Sequence, residues 1–344
     1  MAGIFDSKYF NNEVFGKYLE TVPRYKQNAF LTSGVLRTRT DLRTMLADQT
    51  GGNFISIPMV GRIGGDPLNY DGSTNITATS IGTYLQSMIV VGRAKAWTER
   101  DFSYDITGGY DFMAEIARQV AEYWDDVDQA TILSILKGIF GVTADGFNTK
   151  HTLDISAGSG AAANVGATTL NNAMQQAFGA NKNEIAMVIM NSQVATNLEN
   201  LQLLEYVKGT EANGMQRDMT MTTWNGRQVL IDDEGTAETA EGVTKFTTYL
   251  LGRGAFDYCD CGAKVPNEVD RDPATNGGMD TLYTRQRKLF APHGFSFVQP
   301  STAIISPTAA QLETAARWTV VKDNAGTGYY ESRAIPIARI ISLG

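Results

Sequence analysis

Histidine and cysteine are nearly absent, at two of each in 344 residues. His151 and His293 stand in loop-like contexts without a nucleophile motif beside either, so a histidine-based acid–base pair or triad has few candidates. Cys259 and Cys261 lie two apart, poorly placed for a disulfide and too few for a disulfide framework. On a strand they would present both sulfurs on one side, but the spacing matches no common zinc module, and two ordinary thiols are expected. No apolar run reaches eighteen residues, and the opening MAGIFDSKYFNNEVF has no continuous apolar core. Neither a membrane span nor a secretory leader is therefore expected, and the chain reads as soluble and made in a cytoplasm.

Nucleotide chemistry is equally poorly served. There is no GxxxxGK[ST] run, and Gly158-Ser159-Gly160 lacks a strong preceding strand, with Ala163 standing where a dinucleotide fingerprint has its third glycine. Asp232-Asp233-Glu234 reads as a solvated turn after an edge strand, and Asp270-Arg271-Asp272 meets Pro273 where a calcium loop needs oxygen ligands. No catalytic, cofactor-binding or metal residue is assigned. The enzyme reading that survives is a cytoplasmic α/β protein using Asp232, Asp233 and His293. Positive charge is also short: the net charge of −8 argues against a non-specific grip on nucleic acid. Residues 24–43 are the exception, with Arg24, Lys26, Arg37, Arg39 and Arg43 against Asp41, a segment suited to an acidic neighbour.

What is present is organised around Asp111 to Gly141. Phe112, Ile116, Val120, Tyr123, Val127 and Ala130 recur at three- and four-residue spacing, the period of one helix face. Glu115, Arg118, Glu122, Asp125, Asp126 and Asp128 fall on the other face, so the first half predicts a half-exposed helix. Beyond Thr131, the residues Ile132, Leu133, Ile135, Leu136, Ile139 and Phe140 leave almost no polar side, and such a helix has to be covered all round. About 28 residues at 1.5 Å each make a rod of roughly 42 Å. Asp111 suits its cap, and Gly138 or Gly141 its stop.

The other segments are placed by pattern. Residues 1–50 read as a mostly extended arm that cannot make a core alone, with a short helical pattern at Phe10, Val14 and Tyr18. NFISIPMV (53–60) and TYLQSMIVVGRAKAW (83–97) read as strands, and Pro58 places the first at a sheet edge. Between them lie some twenty residues rich in Gly, Asn, Asp and Thr. An isolated hairpin is marginal in water, so this one needs an outside surface. TTLNNAMQQAFG (168–179) predicts a helix stopped at Gly179, IAMVIM (185–190) a buried strand, and SQVATNLENLQLL a helix capped by Ser192. GRQVLID and KFTTYLLG add strands in an α/β-like unit; 213–222 and 234–242 read as loops. Residues 280–291 and 294–299 alternate like exposed strands, Ser306-Pro307 opens a helix, and IPIARIISLG closes as a strand.

That order resembles the layout of the major capsid proteins of tailed bacteriophages over essentially the whole chain. It is carried by MNSQVATNL after IAMVI, GRQVLIDDE, YLLGRGAF, and SPTAAQLETAARW leading to IPIARIISLG. The resemblance implies an α+β fold with an N-terminal arm (1–50), an extended two-stranded loop (51–97), a peripheral domain (98–164 and 281–344) around a spine helix at 111–140, and an inserted axial α/β domain (165–280). It further implies a structural protein of the virion and not an enzyme. Such a protein is assembled in the host bacterial cytoplasm, where hexamers and pentamers of itself close an icosahedral head around double-stranded DNA without sequence-specific binding. A separate scaffolding protein, a portal and decoration proteins are the implied partners; no cofactor and no membrane are. Arg62, Asp66 and Asp71 on the loop would meet charges on the next subunit, with Glu115, Arg118 and Glu122 as receivers. Lysine is missing between Gly61 and Gly92, so the lysine cross-link of some family members is not expected on this loop. A bacterial nanocompartment shell protein of the same fold is the alternative; those usually begin with a helix lining a cargo groove.

Overall fold

The computed structural model describes residues 25–48, 53–61, 66–73, 75–76, 83–100, 112–210, 216–240, 242–323, 326 and 328–344. The chain runs from α1 (Tyr25–Thr32) through β1 (Leu36–Thr38) and α2 (Thr40–Asp48) to β2 (Phe54–Val60), β3 (Thr83–Arg100) and the spine α3 (Phe112–Phe140). Next come α4 (Phe147–Lys150), β4 (Thr152–Asp154), α5 (Thr169–Phe178), β5 (Ile185–Met190), α6 (Ser192–Asn200), β6 (Leu204–Thr210), β7 (Gln216–Trp224), β8 (Arg227–Ile231), β9 (Ala237–Ala240) and β10 (Val243–Gly252). The remainder is β11 (Phe256–Asp260), β12 (Asn267–Asp272), β13 (Met279–Pro292), β14 (Phe295–Phe297), α7 (Ala309–Glu313), β15 (Trp318–Val320) and β16 (Ile337–Ser342). Among the described residues no single helix is long and apolar enough to cross a membrane.

Two sheets cover the spine. The first has the order β1-β11-β13-β3-β2 with β12 on β13, and the second the order β4-β16-β10-β5-β8-β7-β6 with β9 on β10. Neither follows blocks of sequence, since residues 152–154 and 337–342 complete the sheet of 185–252. In β5, successive side chains point to opposite faces. Met187 and Ile189 therefore join Ile132, Leu136, Ile139 and Phe140 of the spine, while Val188 and Met190 join Leu170, Met174, Val194 and Leu198 of α5 and α6. Two buried faces explain why IAMVIM is apolar throughout. The first sheet repeats the device. Ile89, Val91, Phe256 and Phe290 face the spine, whereas Met88, Val90, Cys259 and Leu289 pack beneath Leu42 and Leu46 of α2.

Several sequence expectations are corrected. Residues 25–48 are not extended: α1 places Ala29 and Phe30 in the main core, and α2 covers a sheet face. The basic segment's acidic neighbour is in its own chain, where Arg37 and Arg39 lie 2.7 and 3.4 Å from the buried carboxylate of Asp257. On the spine, Asp125 and Asp128 are buried and Ala130 is exposed, so the covered face is turned from the one read by period. Asp128 is matched there: its carboxylate pairs with the buried Lys288 ammonium and accepts from Gln286 at 3.0 Å. Residues 216–224 and 237–240 are strands, not loops. β13 is largely buried rather than exposed. Asn191, not Ser192, caps α6 by accepting from the Gln193 N–H. Thr308 and Gln311 form a reciprocal capping box at α7, two residues beyond the expected Ser306. The helix pattern at Phe10 to Tyr18 and the Asp111 cap lie outside the described residues.

Gly138 lies inside α3 and does not stop it. A Cβ there would sit 2.1 Å from the Leu312 carbonyl oxygen and 2.6 Å from Trp318 Nε1, two atoms already joined by a 2.7 Å hydrogen bond. Alanine in a helix interior gains about 1 kcal/mol over glycine, but forcing a methyl against backbone costs about 1–3 kcal/mol or more. Gly138→Ala is expected to lose roughly 1–2 kcal/mol net, read as a lower urea midpoint at unchanged slope. A raised midpoint would show that α7 yields at no cost.

Candidate inter-subunit surface

β3 has two partners in succession. Thr83 to Ile89 pairs with β2, and Val90 to Arg100 pairs with β13, both antiparallel. At about 3.4 Å per residue its 18 residues span roughly 60 Å, of which eleven residues pair with β13 and seven with β2 in the hairpin. Pro58 lies on β2, the outermost strand, as expected from its missing N–H.

The root of the hairpin is clamped by side chains. Buried Gln86 donates its amide to Pro292 O at 2.8 Å and Phe295 O at 3.0 Å. Ser296 Oγ accepts from Ser87 N at 3.1 Å and donates to Leu85 O at 3.3 Å. Ser306 Oγ bonds both Gly92 N and Gly92 O, which is the use this serine has in place of the helix cap. Further along, Trp97 meets Tyr123 of the spine edge-to-face at 5.4 Å, and Trp124 Nε1 donates to Thr284 Oγ1 at 3.2 Å.

Beyond the root, cover disappears. Val60 is 70% exposed, Tyr70 91% and Ile76 77%, and Leu68 and Leu85 are half exposed. Of the residues expected at an interface, Asp66 and Asp71 are on this exposed stretch and Glu122 is on the exposed side of the spine. Asp71 turns one oxygen inward to the Ser73 N–H at 2.9 Å, so it shapes the loop locally. Arg62 lies outside the described residues, as do the side chains of Glu115 and Arg118. Reading the sequence for charge missed the apolar members, whose signal was available: large aliphatic and aromatic residues spaced through a Gly- and Asn-rich loop.

Against this geometry the comparisons with known proteins are specific. No family model matches the chain. A major capsid protein of Bacillus phage SPP1 is 26% identical over 313 residues, covering 90% of this chain and 92% of that one. The capsid of Ralstonia phage GP4 superposes with a TM-score of 0.55 at 10% identity, over 91% of this chain and 88% of that one. The Cyanophage Pam1 capsid asymmetric unit gives 0.51 at 13% identity, over 94% and 93%. The capsid of Helicobacter pylori bacteriophage KHP30 gives 0.52 at 10%, over 90% and 86%. The chain has the fold of tailed-phage capsid proteins and is similar in sequence, over 90% of its length, to a phage major capsid protein.

Within this fold the few groups with chemical potential have structural positions. His151 stacks on Phe147 with ring centroids 4.4 Å apart. Its Nδ1 lies 2.8 Å from the Ile337 carbonyl and Nε2 2.8 Å from Ser332 Oγ. A carbonyl only accepts, so Nδ1 carries the proton and Nε2 accepts from the hydroxyl. His293, in the turn between β13 and β14, meets the Tyr330 hydroxyl at 3.1 Å, while Asp233 accepts from Ser192 N at the start of α6 at 2.9 Å. Asp232 and Asp233 thus share the turn after β8, while His293 bonds elsewhere, with Tyr330. Burial raises both thiols, Cys261 to about 12, so neither is a ready thiolate. Among the described residues no three of His, Cys, Asp or Glu are grouped to hold a metal ion.

Two outcomes follow from these contacts. Gln86→Leu leaves two carbonyls without their donor, at about 1–3 kcal/mol each, and should speed hydrogen exchange in 83–89 while the spine stays protected; unchanged exchange would show that β2 alone holds the root. For His151, burial pushes the pKa down from 6.5 to about 4. The folded value lies below the unfolded one, so its contribution is complete above pH 6.5 and is lost as pH falls through about 4, amounting to about 3 kcal/mol. Urea midpoints should therefore drop less between pH 7 and pH 4.5 in His151→Gln than in the parent chain; equal drops would place the acid sensitivity elsewhere.

Proposed function

We propose that this chain is a major capsid protein that builds a phage head by association with copies of itself in hexamers and pentamers, its β2–β3 hairpin resting on the peripheral domain of the adjacent subunit. The observation that carries this reading is the run of exposed apolar side chains, Val60, Leu68, Tyr70 and Ile76, at the outer end of a hairpin whose root is firmly clamped. Obligate interfaces of about 2,000 Å² or more bury such residues. In this reading residues 1–50 are the arm, 51–97 the extended loop, 98–164 and 281–344 the peripheral domain, and 165–280 the axial domain. The sheet that takes in 152–154 and 337–342 as well as 185–252 then ties the axial domain to the peripheral one. Asp66 and Asp71 approach Arg118 of the neighbour, and Arg62 approaches Glu115 and Glu122.

The shell assembles in the host bacterial cytoplasm and encloses double-stranded DNA as a container. A net charge of −8 supports that role, since a lining that bound phosphates would hold the DNA it must admit. A separate scaffolding protein, a portal and decoration proteins complete the proposed head. The nanocompartment alternative loses its discriminating argument, because Tyr25–Thr32 is helical, but the SPP1 relative favours the phage head.

Electron microscopy of the purified chain with residues 61–82 replaced by a short Gly-Ser turn tests this reading. Folded, soluble subunits without closed shells are the expected result, and Tyr70→Ser with Ile76→Ser should reduce shell yield in the same direction. Normal shells from the deletion would end the hairpin's role.

A further inference from the structure

We propose that Lys288 and Asp128 become joined by a side-chain amide, which ties β13 covalently to the spine within one chain. Both residues are buried, at 3% and 5% exposure, and the Lys288 ammonium sits directly against Asp128 Oδ2. An ammonium carries three N–H donors. Among the described residues this one has a single hydrogen-bond partner, that carboxylate oxygen, so two donors of a buried cation are unmet. Unmet buried donors are costly, and those of an ionised group more so. An amide nitrogen keeps one N–H, so condensation removes both charges and leaves one donor where there were three.

The carboxylate is arranged for attack. Its oxygens have different partners: Gln286 Nε2 donates to Oδ1 at 3.0 Å, while Oδ2 faces the amine. A donor on Oδ1 stabilises the negative charge which that oxygen gains when a nucleophile adds to Cγ. Gln286 and Lys288 are alternate residues of β13, so both reach the spine from one face of the strand. Asp128 stands on the opposing helix. Amine and carboxyl are thus held together by two packed elements rather than by loops, the setting in which proximity contributes most to an intramolecular reaction.

The step balances without a further reactant. Nζ bonds to Cγ, and the Cγ–Oδ2 bond breaks. Two of the three ammonium protons pass to Oδ2, which leaves as water, and the third stays on the amide nitrogen. A cavity of about 10 Å³, about the least that admits one water, lies against Asp128 and is lined also by Asp125, Gln129, Phe30, Ile132 and Phe290. The released water therefore has a place beside the bond. The amide forms within a single chain, so its presence does not depend on shell assembly.

Mass spectrometry of the purified, full-length chain, denatured before measurement, is the test. The intact chain should be lighter than its sequence by one water. Trypsin should fail to cut after Lys288 and should release a branched peptide joining residues 119–137 to 288–317. Lys288→Arg, which keeps the charge, and the apolar pair Lys288→Met with Asp128→Leu should each restore the full sequence mass and lose the branched peptide entirely. Urea midpoints establish that these variants are folded, and the parent measurement needs no variant. A parent chain of full mass with separate 119–137 and cleavage after Lys288 would leave an ordinary ion pair and overturn the proposal. So would a missing water with no branched peptide, or a branched peptide that persists in Lys288→Arg.

Discussion

A helix without a polar side has to be closed off in every direction, and the second half of the spine sets that requirement for the whole chain. Ile132, Leu133, Ile135, Leu136, Ile139 and Phe140 are all buried, and no single element is wide enough to bury them. The second sheet supplies Met187, Ile189, Tyr249 and Leu251, the first supplies Phe256, Tyr258 and Phe290, and the C-terminal region supplies Leu312, Trp318 and Val320. Because the covering groups come from residues 30 to 337, the sheets interleave distant stretches of sequence. The closeness of the cover explains Gly138, where α7 approaches the helix backbone so nearly that no side chain fits.

The first half of the spine is held differently, by a buried ion pair between Asp128 and Lys288 with Gln286 on the same carboxylate. Removing one member of such a pair costs about 3–5 kcal/mol, whereas replacing both with apolar groups is often neutral. Its value therefore lies in register: slipping α3 by one turn against β13 would leave both charges buried and unmatched. A helix fixed in rotation then presents Tyr123, Val127 and Ala130 outward beside the acidic turn, and sets Tyr123 against Trp97 of β3. One ionic contact in this way orients both the open stripe and the strand that becomes the hairpin.

These details show which parts of the molecule were legible in the sequence. The spine, β2, β3 and β5 were readable because apolar spacing over many residues leaves little choice of face. The direction of the spine's charged side was not. Asp125 and Asp128 sit where periodicity puts water, and the partner that permits the burial of Asp128 is 160 residues away. In α1 the buried Ala29 and Phe30 are adjacent rather than spaced, so the helix has almost no period to detect. β7 was hidden by its polar composition, although Asn225-Gly226, both with positive φ, joins Trp224 and Arg227 as a two-residue hairpin turn whose chemistry was visible. At the proposed interface the charges drew notice because they stand out in sequence. The apolar residues among them become conspicuous only when exposure is known.

That difference decides which contacts carry association. Copies of a chain with net charge −8 repel one another, and at physiological salt the repulsion is screened beyond about 8 Å. Exposed ion pairs of the kind Asp66 or Glu122 can offer contribute about 0–1 kcal/mol each. Burying an exposed Val60, Leu68 or Ile76 contributes about 1.5–3 kcal/mol each, and this term is insensitive to the sign of the surrounding charge. For an acidic subunit the apolar terms are therefore the larger and the more robust. In the proposed assembly the charged residues would act chiefly on register, selecting where on the neighbour the hairpin settles once its tip is drawn out of water.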